Sequence, residues 1–223
     1  MDFFLQIVGD PTSLILGGVG LLVASFSSLF SVANPTAAMP VFLSLTSGYT
    51  DEEKKVTAKW TCIYAFLVLT VFLFAGTAIL HFFGINLSGI RIAGGLIIMR
   101  TAFSMLNPDS AGRKLTDEDE AAARLKDDIS FSPLAMPMLS GPGSIAVVIG
   151  FATQASRMAD FIVHSFSITL VIIIAYTILR LSPAIMKYIG TTGMNVMTRM
   201  MGFIALAISV QFILSGIHLY FGM

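Results

Sequence analysis

The chain has 223 residues, 56% of them hydrophobic and 12% charged, with a mean hydropathy of +0.86, where a soluble domain carries about 25% charged residues. So few charges cannot cover a water-facing globule without large exposed apolar patches, which excludes a soluble enzyme and marks an integral membrane protein. Thirteen Lys and Arg balance thirteen Asp and Glu, so no basic excess draws nucleic acid by counterion release.

In chain order, Met1-Asp2-Phe3-Phe4 places no basic residue ahead of the first apolar run, so that run reads as a retained span rather than a cleaved signal peptide. A Lys, Arg or Asp at a helix centre costs about 2.5–3.5 kcal/mol, and charge-free intervals at 11–50, 60–90, 129–156, 161–179 and 200–223 therefore mark crossings. A further apolar segment, 87–106, carries Arg91 and Arg100. Together these predict six spans of the roughly 20 residues a bilayer requires. The first, 13–47, would be about 52 Å long as one helix, and Asn34-Pro35 divides it. The fourth, 129–154, is interrupted by Pro133, Pro137 and Gly141-Pro142-Gly143. Each is expected to be a single crossing with a break inside it. The lone cysteine, Cys62, falls in an apolar stretch and reads as a small buried hydrophobe.

With six crossings every Lys and Arg except Arg91 and Arg157 falls on one side, so the positive-inside rule puts both termini on the outer face. The polar segment 107–128 is then a cytoplasmic linker, in which Thr116-x-x-Asp119 predicts a short capped helix. It divides the chain into three-helix units at 1–106 and 129–223. An odd number of crossings per unit forces the second unit to insert upside down, which predicts an inverted repeat. Asn34-Pro35-Thr36 corresponds to Gly141-Pro142-Gly143 at an offset of 107, and Arg91-Ile92-Ala93-Gly94 to Arg199-Met200-Met201-Gly202 at 108. The fold class expected is thus an all-α polytopic membrane protein made of two inverted three-helix repeats with broken helices one and four.

The breaks carry the candidate site. Asn34 is a favoured N-cap and Pro35 suits the first helical position, where its missing N–H costs nothing; Gly141-Pro142 repeats the pattern. Hydrocarbon cannot satisfy the backbone groups a break exposes, so they must line a polar cavity or be buried in protein. Helix N-termini attract an anion and free carbonyls attract a cation, an arrangement suited to a zwitterion. The candidate substrate-binding residues are Asn34, Pro35, Thr36, Ala37, Ser140, Gly141, Pro142, Gly143 and Ser144, with Ser31 and Ala33 beside them. No Asp or Glu lies within a span, which disfavours a cationic substrate, and no Asp, Glu, His or Cys cluster offers metal ligands there. The plain alternative is that these Gly and Pro residues only kink helices and let them pack closely.

Asn34-Pro35-Thr-Ala-Ala-Met-Pro40-Val-Phe-Leu-Ser-Leu-Thr46, Arg91-Ile-Ala-Gly-Gly95 and Pro137-Met-Leu-Ser-Gly141-Pro142-Gly143-Ser-Ile-Ala146 closely resemble the signature segments of the MarC/SnatA family of prokaryotic inner-membrane proteins, over nearly the whole chain. The resemblance implies a six-helix protein of the LysE-type transporter superfamily, located in the inner membrane. It also implies a carrier of small neutral amino acids such as glycine and alanine, driven by a proton or Na⁺ gradient. Thr36 departs from the small apolar residue more usual after Asn-Pro and leaves fine substrate preference open. The alternatives are an exporter of other small metabolites or drugs, and a channel.

Arg91 and Arg199 begin spans three and six at opposite faces and read either as interfacial snorkelling arginines or as gate residues; snorkelling accounts for Arg100. His81, His164 and His218 all fall on the outer side, where histidine titrates near neutral pH, although scattered interfacial histidines are usually structural. An enzyme is not expected. The chain has no His-Glu-x-x-His and no Gly-x-Ser-x-Gly elbow, and no histidine lies at the depth of Ser144 to act as its base. No cofactor is implied.

Overall fold

The computed structural model describes residues 11–107 and 129–222, and all of the regular structure described is helical. The short helix expected near Thr116 lies outside the described residues. In chain order the helices are α1 (Pro11–Ala33), α2 (Pro35–Leu45), α3 (Asp51–Phe82), α4 (Leu87–Leu106), α5 (Ser130–Leu139), α6 (Pro142–Gln154), α7 (Met158–Gly190) and α8 (Thr192–Phe221).

Among the described residues, α1 and α2 taken together, α3, α4, α7 and α8 give five stretches long and apolar enough to cross a membrane. The sixth expected crossing, at 129–154, is not among them. Neither α5, with 10 residues, nor α6, with 13, spans alone, but end to end they reach the roughly 20 residues required. Charged residues fall inside the helices more often than the charge-free intervals suggested: α7 runs through Arg180 and Lys187. Arg199 is a correction, since it sits two turns inside α8 rather than at its start; a long cation at helix depth is tolerated when its head reaches a polar boundary. Arg91 lies one turn inside α4.

Local chemistry sets the boundaries. Thr50 and Glu53 form a reciprocal capping box that starts α3. The carboxylate of Asp160 accepts the backbone N–H groups of Ser156 and Arg157 at the start of α7. Between α7 and α8 the chain turns at Gly190 with φ 66° and ψ 177°, a conformation open essentially to glycine. In α5, Ser132 and Met136 precede Pro133 and Pro137 and are extended, with ψ of 119° and 121°, because a following proline excludes the α region. The turns there widen to bonds such as Ser140 N–H to the carbonyl of Ala135.

Helices α4 and α8 are held by an antiparallel seam of small residues at seven-residue spacing. A Cβ on Gly95 would lie 2.8 Å from the carbonyl oxygen of Ser209, and one on Gly216 2.9 Å from that of Ser88. Only glycine permits this approach, the usual means of joining helices in lipid. The core forms two apolar layers. One contains Leu29, Val32, Ile98, Val147 and Phe151, the other Phe42, Leu45, Leu134, Leu139 and Met194. Exposed Val71, Phe74, Ile173 and Phe203 face outward, as lipid contact requires. Ala33 belongs to the first layer and Ala38 to the second, while Leu139 belongs to the second and Val147 to the first. Both helix breaks therefore lie at the level where the two layers meet.

Candidate functional site

At the first break every residue from Ser31 to Met39 is buried. The N–H of Asn34 donates to the carbonyl of Phe30 at 2.9 Å and completes the last turn of α1. Its backbone then adopts φ 40° and ψ 67°, a left-handed conformation that asparagine tolerates better than most residues. The side chain caps α2: Oδ1 accepts the N–H of Ala37 at 3.2 Å and the hydroxyl of Thr36 at 2.6 Å, and Nδ2 donates to Sδ of Met105 at 3.3 Å on α4. Asn34 thus ties α1, α2 and α4 together, and the side-chain cap expected from the sequence is formed.

The second break is arranged differently. Gly141 is extended and no side chain caps α6. Instead two hydroxyls reach backward to the carbonyls left by α5. Ser140 Oγ donates to Ala135 O and Ser144 Oγ to Leu139 O, each at 3.0 Å. The N–H groups of Gly143 and Ser144 have no partner among the described residues, so the first turn of α6 keeps its positive end open.

The two breaks meet. Val32 lies against Gly143, where an added Cβ would come within 3.1 Å of Val32 Cγ1 and 3.4 Å of Ile98 Cγ1. A cleft of about 480 Å³ is lined by Gly141, Pro142, Gly143 and Ser144 together with Val32, and by Ile97, Arg100, Thr101 and Ser104 of α4. A small recess of about 30 Å³ continues from it past Thr101, Ser104 and Met138 to Asn34, Ala37 and Thr198, with room for about one or two waters. The cleft falls within the range of about 300–1,000 Å³ typical of small-molecule sites. Six of the nine candidate binding residues line this joined space. Pro35, Thr36 and Ser140 do not; Thr36 and Ser140 are buried and serve the local bonds already described.

Sequence reasoning missed the α4 wall. Ile97, Arg100, Thr101 and Ser104 recur at helical spacing, so a polar stripe within an apolar span was the available signal. Arg100 is exposed and brings the one charge among the described residues to the lining of this cleft. Arg199 lines neither space. Among the described residues no group of His, Cys, Asp and Glu is placed to hold a metal ion. His81 and His218 are exposed near the ends of α3 and α8, while His164 is buried on α7, hydrogen-bonded through Nδ1 to Ser25 Oγ at 2.9 Å.

Comparison with known proteins places this architecture. Residues 19–221 match the family described as MarC family integral membrane protein. The chain belongs to the MarC family. A membrane protein of Methanocaldococcus jannaschii is 39% identical over 88% of this chain and 95% of its own length. The membrane protein YvbG of Bacillus subtilis is 36% identical over 88% and 93%. The inner membrane protein MarC of Escherichia coli is 36% identical over 90% and 93%. No solved structure matches the chain. Membership accords with the motifs at Asn34-Pro35 and Gly141-Pro142-Gly143, and these segments supply both breaks of the cleft.

Proposed function

We propose that this MarC family protein is a secondary transporter of small neutral amino acids, glycine and alanine, that binds its substrate where the two breaks meet. The observation that carries the reading is the shared cleft, lined by both broken crossings and bearing, among the described residues, one cation and no acid. The open first turn of α6 and Arg100 suit a carboxylate, and the uncharged polar groups Thr101, Ser104 and Asn34 leave room for a small ammonium group. The apolar layers on either side of the breaks supply the barriers an alternating-access carrier needs, and the two three-helix units would move as inverted repeats around the site. On this reading both termini face the periplasm, and a proton or Na⁺ gradient drives transport.

The test is counterflow of labelled glycine into liposomes preloaded with glycine, under imposed pH and Na⁺ gradients. Saturable counterflow blocked by alanine and lost in Gly141→Val is expected, and its gradient dependence names the ion. Folded protein that shows no counterflow with glycine or alanine would refute the reading and favour an exporter of other metabolites, while flux without saturation would favour a channel.

A further inference from the structure

At the opposite end of the helix bundle from Arg100 lies a second polar cavity, of about 330 Å³, that the transport cleft does not use. Five helices meet there. Ser25 and Ser28 come from α1, Arg91 from α4, Gln154 from the end of α6, His164 from α7, and Gln211 and Ser215 from α8. Ser25 and His164 satisfy each other and Ser215 donates to the carbonyl of Phe212 at 2.9 Å, which leaves Ser28, Arg91, Gln154 and Gln211 as the side chains with no hydrogen-bond partner among the described residues.

Their arrangement favours an anion. Arg91 is the charged group of the lining and has no ion pair or hydrogen-bond partner among the described residues. The nearest acidic candidate on α7, Asp160, is already occupied by the N–H groups of Ser156 and Arg157. The Cβ of Arg91 lies 3.2 Å from where a side chain on Gly216 would begin, so the glycine lets the two helices meet beside the arginine. The far wall is fixed. His164 is 2% exposed, holds Ser25 at 2.9 Å and stacks on Phe151 with ring centres 4.8 Å apart and planes 5° apart. Gln154 and Gln211 add amides that both donate and accept.

We propose that this cavity is a second ligand site, which binds the carboxylate of a small organic acid or zwitterionic amino acid through Arg91, with Gln154 and Gln211 orienting the remainder. It is separated from the central cleft by the apolar layer of Leu29, Val32, Ile98 and Phe151. Resting on the transporter reading, it is the station that a substrate occupies on the opposite face before or after the central cleft.

The test uses the full chain with Cys62→Ala and Ser28→Cys, labelled by a membrane-impermeant thiol reagent, with glycine, propionate or ethylamine as the probe. Glycine and propionate should slow labelling at least fivefold, ethylamine should not, and Arg91→Gln should abolish the protection while Arg91→Lys keeps part of it. Absence of labelling from either side of the membrane, protection by ethylamine equal to that by propionate, or protection unchanged in Arg91→Gln each overturns the proposal. Carboxylate protection in protein that shows no counterflow would leave this site standing while the transport reading falls. Counterflow without protection would do the reverse.

Discussion

The two helix breaks share a proline at the first helical position, yet they satisfy opposite halves of the backbone. At the first, one side chain, Asn34, serves the amide of Ala37 in the following helix. At the second, the hydroxyls of Ser140 and Ser144 serve the carbonyls of the preceding segment. The first break therefore carries a side-chain cap and the second carries none, which leaves the N–H groups of Gly143 and Ser144 beside the cleft. A break in lipid must be compensated, and which half is compensated decides which half is left to bind a ligand.

The largest expected effect tests the open break. Gly143→Val would drive a branched side chain against Val32 and Ile98, where even a Cβ approaches to 3.1 Å. It should lower glycine counterflow by at least tenfold, with folded protein recovered on gel filtration. Asn34→Ala breaks the capped one. Losing the cap costs about 1 kcal/mol and forcing alanine to φ 40° costs about 1–2 kcal/mol more. Stability should therefore fall by roughly 2–3 kcal/mol, whereas Asn34→Gly, which accepts that backbone, should lose about half as much by denaturant titration. Ser144→Ala leaves a carbonyl at Leu139 without its donor and should cost about 1 kcal/mol, with a smaller loss of transport than Gly143→Val. Gly48→Ala meets nothing within 4 Å and should shift stability by less than about 0.5 kcal/mol.

Much of this was legible in the residues because proline and asparagine act locally. Asn34-Pro35 and Gly141-Pro142 announced both breaks, and the composition announced the membrane. Charge-free intervals were less informative about helix ends. They stopped at Arg180 and began after Arg199, whereas the helices continue through both, because a flexible cation reports where its head lies and not where its helix starts. The turn at Gly190 carries no signal beyond a glycine in a polar stretch. The α4 wall of the cleft was missed for a different reason: Thr101 and Ser104 have ordinary local chemistry, with hydroxyls that donate to the carbonyls of Ile97 and Thr101, and their importance comes from tertiary packing that brings α4 against α6. Arg91 likewise gains meaning from Gln154, Gln211 and His164, which lie far away in sequence.

The most direct test of the claim that the breaks jointly form a ligand site is the thermal stability of the purified protein as glycine is added. A ligand at 100 times its Kd stabilises the bound state by about 2.7 kcal/mol. With the second site disabled by Arg91→Gln, a concentration-dependent rise in Tm is expected both alone and with Gly48→Ala added, and none with Gly143→Val added. An equal rise in Arg91→Gln with Gly143→Val would place the ligand outside the breaks and contradict the account.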